Sequence, residues 1–391
     1  MSLFHWISGG ILGAAWFSRV VGAGLGMPTV PDIAKPEWDC QPQPLSELPR
    51  VSIIVPARNE ETTIEGVLRG LLSLDYSNLE VIAVDDRSTD RTGDRMDAFA
   101  ASQKASNHLQ VLHVTELPEG WLGKTHAMWT AAQQATGDWL LFTDADVFFR
   151  PDTLRRALAY AESAQADHLV MFPSMVMKTP GERMMISFFQ TLFVFGHRPW
   201  KVADPKCKDH MGVGAFNLVR RAVYESIGTY KALRMEVLDD MKLGKVIKEA
   251  GFAQRNVFGD ALLSIRWAEG AFGVVNNLTK NFFAVMSFQW WRTVASAVAL
   301  AYLNLMPFVG VWIAPGWSRA GYALALFSIF AIYTGMSTRS HVPWYYCLLH
   351  PVSSALFIYT LLRSMFITLR DGGVTWRGTK YPLDELRKGL V

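Results

Sequence analysis

The chain has 391 residues, half of them hydrophobic and 12% aromatic, with only 19% charged, too apolar for a disordered chain and rich for a wholly water-soluble enzyme. Thirty-eight Lys and Arg against 35 Asp and Glu leave a net charge of +3, which excludes the broad cationic face that nucleic-acid binding demands. Cys40, Cys207 and Cys347 are too few and too widely spaced for a zinc site or a disulfide framework, as befits a reducing compartment.

From the N-terminus, residues 3–27 are apolar apart from His5 and Arg19, a run long enough to cross a hydrocarbon core of roughly 30 Å. Met1 to Trp6 carries no Lys or Arg, which favours a retained anchor over a cleavable signal peptide. The expected organisation is an N-terminal transmembrane anchor over 1–27, a linker over 28–50 and a catalytic domain over 51–265. An interfacial amphipathic segment over 266–293, transmembrane helices within 294–368 and a basic tail over 369–391 complete it. Spans are expected at 294–314, 318–337 and 345–368, the last flanked by Trp344, Tyr345, Tyr346 and Arg363, types that membrane interfaces favour. The charge-free start and Arg19 orient the segment after the anchor toward the cytoplasm. Three later crossings would then export the basic tail against the same bias, a conflict that a re-entrant late segment removes.

Within the polar segment, Val51 to Pro56 is a short β-branched run, and residues 60–72 place Ile64, Val67, Leu68 and Leu71 at helical spacing. The rhythm repeats: a strand over 79–84 and a helix from about Thr89; a strand over 111–114 and a helix over 124–135; a strand over 139–142 and a helix from Pro151. Strands alternating with helices predict an α/β fold with a mostly parallel, doubly wound sheet. Ligands of such sheets bind beyond the carboxyl ends of the strands.

No Gly-x-Gly-x-x-Gly and no Gly-Lys-Ser/Thr loop follows the first strand, so dinucleotide enzymes and P-loop NTPases are disfavoured. Carboxylates gather instead. Asp85 and Asp86 end the second strand and Asp144-Ala145-Asp146 ends the fourth. Thr89 and Asp90 also suit a helix N-cap. Two acids one residue apart after the apolar run Trp139 to Phe142 suit a hard divalent cation that shares its ligands with substrate phosphates.

Val55-Pro56-Ala57-Arg58-Asn59-Glu60, Val84 to Asp90, Gly120-Trp121-Leu122-Gly123-Lys124, Thr143 to Asp146 and Leu238-Asp239-Asp240-Met241-Lys242-Leu243-Gly244 follow one another over residues 50–295. In this order they resemble an inverting, membrane-attached family 2 glycosyltransferase with the GT-A nucleotide-sugar-binding fold. The similarity is to the branch of ceramide, carotenoid and hopanoid-associated glycosyltransferases. The resemblance implies that Pro56, Ala57, Asn59, Glu60, Asp85 and Asp86 hold the base and ribose of the donor. It implies that Asp144 and Asp146 place Mg2+ or Mn2+ on the diphosphate, Asp146 as the direct ligand, with Lys124 adding charge there. Asp240, with Asp239 beside it, stands where the family carries its catalytic base; Asp239 replaces the usual Glu. Gln289-Trp290-Trp291-Arg292-Thr293 matches the family's Gln-x-x-Arg-Trp except for its last residue. That implies donor contact by Gln289 and Arg292, though the same residues suit an interfacial belt.

Residues 181–200 and 268–291 are aromatic-rich stretches suited to lying at headgroup level, and together they read as a lipid entry. The expected activity is transfer of one sugar from a nucleoside diphosphate sugar, UDP-linked in the relatives resembled, to a membrane lipid at the cytoplasmic face of a bacterial inner membrane. The competing readings are a processive polysaccharide synthase, which the missing Trp of the motif disfavours, and a silent nucleotide-sugar-binding scaffold.

Overall fold

The computed structural model describes residues 2–42, 48–103 and 108–390, which divide into two compact units. One, apolar, comprises 1–29, 177–198 and 267–387; the other comprises 30–176, 199–266 and 388–391.

The chain starts with helix α1 (Ser2–Gly26), in the apolar unit. The second unit then alternates β1 (Val51–Ala57), α2 (Ile64–Leu72), β2 (Leu79–Asp86), α3 (Thr92–Ser102), β3 (Leu109–Val114), α4 (Gly123–Gln134) and β4 (Trp139–Phe142). After β5 (Val147–Phe149), α5 (Thr153–Ser163), β6 (His168–Phe172) and β7 (Ser174–Met175), helix α6 (Pro180–Gly196) returns to the apolar unit. The chain comes back through β8 (Asn217–Arg220), α7 (Arg221–Ser226), α8 (Thr229–Ala232), α9 (Asp239–Glu249), β9 (Gln254–Phe258) and β10 (Leu263–Ile265).

Seven strands form one sheet in the order β3-β2-β1-β4-β8-β6-β9. Strands β1 to β4 run parallel, and β8 is antiparallel to both of its neighbours. This is the α/β, parallel-rich architecture expected. Strand β1 is buried along its whole length, as a strand covered on both faces must be. Helix α2 buries Ile64, Val67, Leu68 and Leu71 against it, each contributing about 1.5–3 kcal/mol of apolar burial.

Three helix starts fall later than the periodicity suggests, because loop polar groups capture the backbone first. Glu60 N donates to Thr92 Oγ1 (2.8 Å) and Glu61 N to Asp90 Oδ2 (3.2 Å), so α2 begins at Ile64. Asp90 Oδ1 accepts from Thr92 N (3.0 Å), and α3 begins there rather than at Thr89. Residues 147–149 form a strand that three residues cannot announce, pairing antiparallel with β10, and α5 starts at Thr153 rather than Pro151. The first part of the linker is tied down as well: Ile33 N donates to Phe258 O (2.9 Å) and Arg156 Nη1 to Lys35 O (2.9 Å).

The apolar unit continues with α10 (Gly270–Val285), α11 (Trp290–Ile313), α12 (Arg319–Ser340) and α13 (His350–Asp371). Four helical stretches, Leu3–Thr29, Trp290–Ile313, Gly316–Ser340 and Trp344–Asp371, are long and apolar enough to cross a membrane. Helices α1 and α12 approach closely through Gly9, Gly13 and Gly321, where a Cβ on Gly321 would lie 2.2 Å from the Gly9 carbonyl carbon. Such small-residue contacts let membrane helices pack backbone to backbone. Helix α6 opens on a full capping box between Thr179 and Glu182. The basic tail folds into a hairpin, β11 (Gly373–Trp376) and β12 (Thr379–Pro382), and the short helix α14 (Leu383–Lys388). Lys280 lies 4.9 Å over the Trp376 ring, and Arg387 Nη2 donates to Phe288 O (3.1 Å).

Candidate active site

The parallel strands deliver their carboxyl ends to one edge, where two clusters of charge meet. The first is sewn from the loops after β1 and β2. Asn59, held at a left-handed φ of +56°, accepts from Thr89 N through Oδ1 (2.8 Å), and its own N–H donates to Ser88 Oγ (3.1 Å). Asp85 Oδ1 accepts from Ser88 N (3.2 Å), while Oδ2 lies 3.3 Å from His113 Nδ1. The other ring nitrogen of His113 lies 3.0 Å from Asp97 Oδ1. Bonds to Asp97 and then Asp85 raise the His113 pKa against partial burial. Asp86 is 4% exposed and takes Arg87 in a fork, Nε to Oδ1 at 2.8 Å and Nη2 to Oδ2 at 3.1 Å. Asp85 is therefore engaged with the loop scaffold, and Asp86 is the acid presented beside α4: a Cβ on Gly123 would lie 2.3 Å from Asp86 Oδ2.

The second cluster centres on Lys124, the second residue of α4. Its Nζ lies 2.7 Å from Asp144 Oδ1 and 3.4 Å from Asp239 Oδ2. Burial opposes the charge on Lys124, but Asp144, Asp239 and Asp240 outweigh it and push its pKa up. Burial also pushes the Asp239 carboxyl up to about 7; Lys124 pulls it down, and the charges of Asp240 and Asp144 add to the rise. Asp240 is raised by burial against Lys124 and two backbone donors. Those donors are Gly214 N, 2.8 Å from Oδ2, and Met241 N, 2.7 Å from Oδ1. Tyr230 lies buried among the same acids, its phenol pushed far above its ordinary range by burial and by Asp239, Asp240 and Asp144.

Gly214 joins β4 to α9, because its carbonyl accepts from Asp144 N (3.1 Å) while its N–H serves Asp240. The segment Met211 to Gly214 runs hard against the start of α9. A Cβ on Gly212 would lie 1.8 Å from Asp240 O, and one on Gly244 would lie 1.9 Å from Met211 O. Sequence reading passed over this segment; its signal is Gly212-Val213-Gly214, two residues short of strand β8.

Among the described residues no three His, Cys, Asp or Glu side chains form a ready metal cage. The donor set fits a hard cation that keeps waters and takes phosphate oxygens, for which one or two carboxylates suffice. Asp144 and Asp146 are such carboxylates, with Asp144 shared with Lys124. Gln289 and Arg292 belong to the apolar unit. There Arg292 Nη1 donates to Ser287 Oγ (3.4 Å), and its guanidinium lies 5.3 Å over the Trp291 ring.

A parallel-rich sheet with acids and one lysine gathered at its strand ends, and no phosphate-binding glycine loop, defines a GT-A nucleotide-sugar-binding fold. A solved structure supports it: the mannosyltransferase PcManGT of Pyrobaculum calidifontis, in complex with GDP-Man and Mn2+, is 23% identical and superposes with a TM-score of 0.55 over 94% of this chain and 99% of that one. Residues 52–228 match the model of Glycosyl transferase family 2 and form a domain of that family. The chain is 24% identical over 282 residues to a 4,4'-diaponeurosporenoate glycosyltransferase of Staphylococcus haemolyticus, covering 71% of this chain and 70% of the relative. It is 23% identical over 344 residues to the enzyme of the same name in Staphylococcus aureus, covering 86% and 89%. The protein is thus a glycosyltransferase with a nucleotide-sugar-binding fold.

Proposed function

We propose that this enzyme moves a single sugar, with inversion, from a nucleoside diphosphate sugar to an amphiphilic membrane lipid at the cytoplasmic face of a bacterial inner membrane. The observation that carries the reading is the cluster in which Lys124 stands between Asp144 and Asp239, with Asp240 next in the chain and pinned by Gly214. Relatives named for action on diaponeurosporenoate support a hydrophobic acceptor, and four helices apolar enough to span support a membrane setting. UDP is the first donor to test and GDP the second.

In this reading Pro56, Ala57, Asn59 and Glu60 frame the donor's base and ribose, with Asp86 beside them and Asp85 bracing their loop. Asp146 with Asp144 would hold Mg2+ or Mn2+, which when bound would supply Lewis-acid stabilisation for the departing diphosphate. Lys124 adds fixed positive charge in a site where burial strengthens it. Asp240 takes the proton of the acceptor O–H as its oxygen attacks the anomeric carbon. The two N–H bonds hold the carboxylate in one orientation, and its raised pKa makes it a better base than a solvated aspartate. Asp239 shares the Lys124 charge, and Asp144 adds to the rise that burial imposes on Asp240.

The test is a pair of substitutions. Asp240→Asn is expected to retain donor binding and lose about 10²–10⁴-fold in turnover, the usual range for a general base. Asp146→Asn, like chelation of the wild type, is expected to lose metal-dependent donor binding, with Mn2+ restoring only the wild type. Normal turnover by Asp240→Asn sinks the base assignment. A polymeric product, or no nucleotide release with any donor and lipid extract, sinks single transfer.

A further inference from the structure

The segment Met211 to Gly214 lies outside helix and strand, yet two of its backbone groups end a chain of buried side chains drawn from three strands. Met211 N donates to Gln254 Oε1 (2.8 Å). Gln254 Nε2 lies 2.8 Å from His168 Nδ1, and His168 Nε2 lies 3.1 Å from Asn217 Oδ1. Asn217 Nδ2 then donates to Val213 O (3.0 Å). Gln254 and His168 are wholly buried, and Asn217 is nearly so.

Both ends of this chain are backbone groups whose roles cannot reverse, an N–H at Met211 and a carbonyl at Val213. Every donor between them must therefore point the same way, which puts the His168 proton on Nε2 and leaves the Nδ1 lone pair for Gln254. Burial pushes the His168 pKa down to about 4, opposed by the bond to Asn217, so the ring is neutral at working pH, as the relay requires. Hydrogen bonds aligned head to tail reinforce one another, and a fully satisfied buried network fixes one geometry.

The relay holds more than its two ends. The Gln254 amide also donates to Gly244 O (3.0 Å) on α9, the helix that carries Asp240 in its first turn. The segment it braces gives Gly214 N to Asp240 Oδ2 (2.8 Å) and takes Asp144 N on Gly214 O (3.1 Å). There is no room for a Cβ at Gly212 or Gly244, so segment and helix meet backbone to backbone. Only His168 joins the two arms of the relay. Without it, Gln254 still reaches Met211 N and Asn217 still reaches Val213 O, but neither amide is held by the other.

We infer that His168 is a positioning residue for sugar transfer: through Gln254 and Asn217 it fixes the Met211–Gly214 segment, and through Gly214 it holds the Asp240 carboxylate in the orientation that takes the acceptor proton. The inference rests on the assignment of Asp240 as the base. It adds a residue that none of the sequence motifs includes, a buried histidine opening the interior strand β6.

The experiment compares His168→Leu with His168→Gln in the full-length protein in phosphatidylcholine nanodiscs. A glutamine amide accepts from Gln254 through its oxygen and donates to Asn217 through its nitrogen, whereas leucine fills the site and does neither. Hydrogen exchange, which needs no substrate, is expected to quicken roughly tenfold over residues 211–217 in His168→Leu, about the protection of one buried hydrogen bond, and to stay near wild type in His168→Gln. Turnover is read with UDP-glucose or GDP-mannose, Mn2+ and bacterial lipid extract. There kcat of His168→Leu is expected to fall about 10²-fold, as for a misplacement of about 1 Å, with donor KM within about twofold of wild type and His168→Gln active. In an Asp240→Asn background the same substitution is expected to cost nothing further, because a group that acts through Asp240 has nothing left to position. Unchanged exchange over 211–217 in His168→Leu overturns the inference, as does a loss of kcat that His168→Gln shares in full or that adds to the loss in Asp240→Asn. Normal turnover by Asp240→Asn breaks the base assignment and this inference with it; turnover lost in Asp240→Asn but kept in His168→Leu breaks this inference alone. Should His168→Leu not fold, His168→Asn, a polar group too short to bridge both amides, is expected to give the same changes in smaller measure.

Discussion

Both units bury polar side chains, but for opposite ends. In the nucleotide-sugar-binding unit the buried groups are charged and converge: Asp86 is 4% exposed and Asp239 5%, and burial, opposed by Lys124, raises the pKa of both Asp239 and Asp240. In the apolar unit they are neutral and dispersed in small sets, His350 with Asn304 and Tyr333, or Tyr302 with Ser8 at 2.8 Å. Concentrated charge stores free energy for chemistry at the cost of stability. Neutral pairs fix helix register in a medium where an unpaired polar group is costly.

The sharpest way to break this contrast is to separate the segments that hold the charges together. Gly212→Ala forces a methyl against the Asp240 carbonyl. Backbone cannot yield there as a side chain end could, so the cost is expected at the top of the overpacking range, roughly 3 kcal/mol, with turnover lost even in the protein that remains folded. Thermal unfolding and activity of the purified variant decide it. Wild-type stability with full activity shows that the Met211–Gly214 segment does not position the base.

That segment also marks the limit of what the sequence discloses. The acids at the ends of β2 and β4 are legible because a buried strand gives a clear apolar run and its last residues must sit at the sheet edge. Lys124 and Asp240 are legible only through the family resemblance, since helix-start residues of those types are common in solvent. Gly212 and Gly214 act through backbone proximity to a helix that begins 27 and 25 residues later, and although Gly-Val-Gly marks a tight place in the chain, local pattern does not say which element lies against it. His113 is hidden likewise, a lone histidine in a strand whose partners lie on two other elements. In the apolar half, hydropathy reports the length of α13 and nothing of the bonds that tie its first residue, His350, to Asn304 and Tyr333.

A second test uses the charge balance directly. Lys124 favours the ionised forms of Asp239 and Asp240, so removing it raises their pKa further. The wild-type pH–kcat profile is expected to fall on its acid side at a pH above the ordinary aspartate value of about 3.9. In Lys124→Gln that limb is expected to move to higher pH, with turnover at neutral pH down by about 10²-fold. A limb that moves down shows that the lysine charge is not what holds the acids ionised.

For the apolar unit the matching experiment is a double-mutant cycle. His350→Leu leaves Asn304 and Tyr333 without their partner, and a loss of roughly 1–2 kcal/mol is expected. The double substitution with Asn304→Leu is expected to recover part of it, because apolar replacement of both partners removes the unsatisfied group. Additive losses in detergent unfolding mean that the pair does not fix the helices.

The smallest effect returns to the donor loops. His113 bridges Asp97 and Asp85 with a raised pKa. A histidine whose folded pKa exceeds its unfolded value stabilises fully below the unfolded pKa, about 6.5, and loses that contribution as pH rises through the folded value. His113→Gln is therefore expected to be less stable than wild type at pH 5.5 and indistinguishable from it at strongly alkaline pH. The His113 side chain is 41% exposed and that of Asp97 60%, so after solvent screening the difference is about 0.5 kcal/mol or less. The same variant frees Asp85 from its brace, and donor KM is expected to rise about twofold at acid pH with kcat unmoved. A stability gap that persists at high pH means that the ring packs and its charge does nothing.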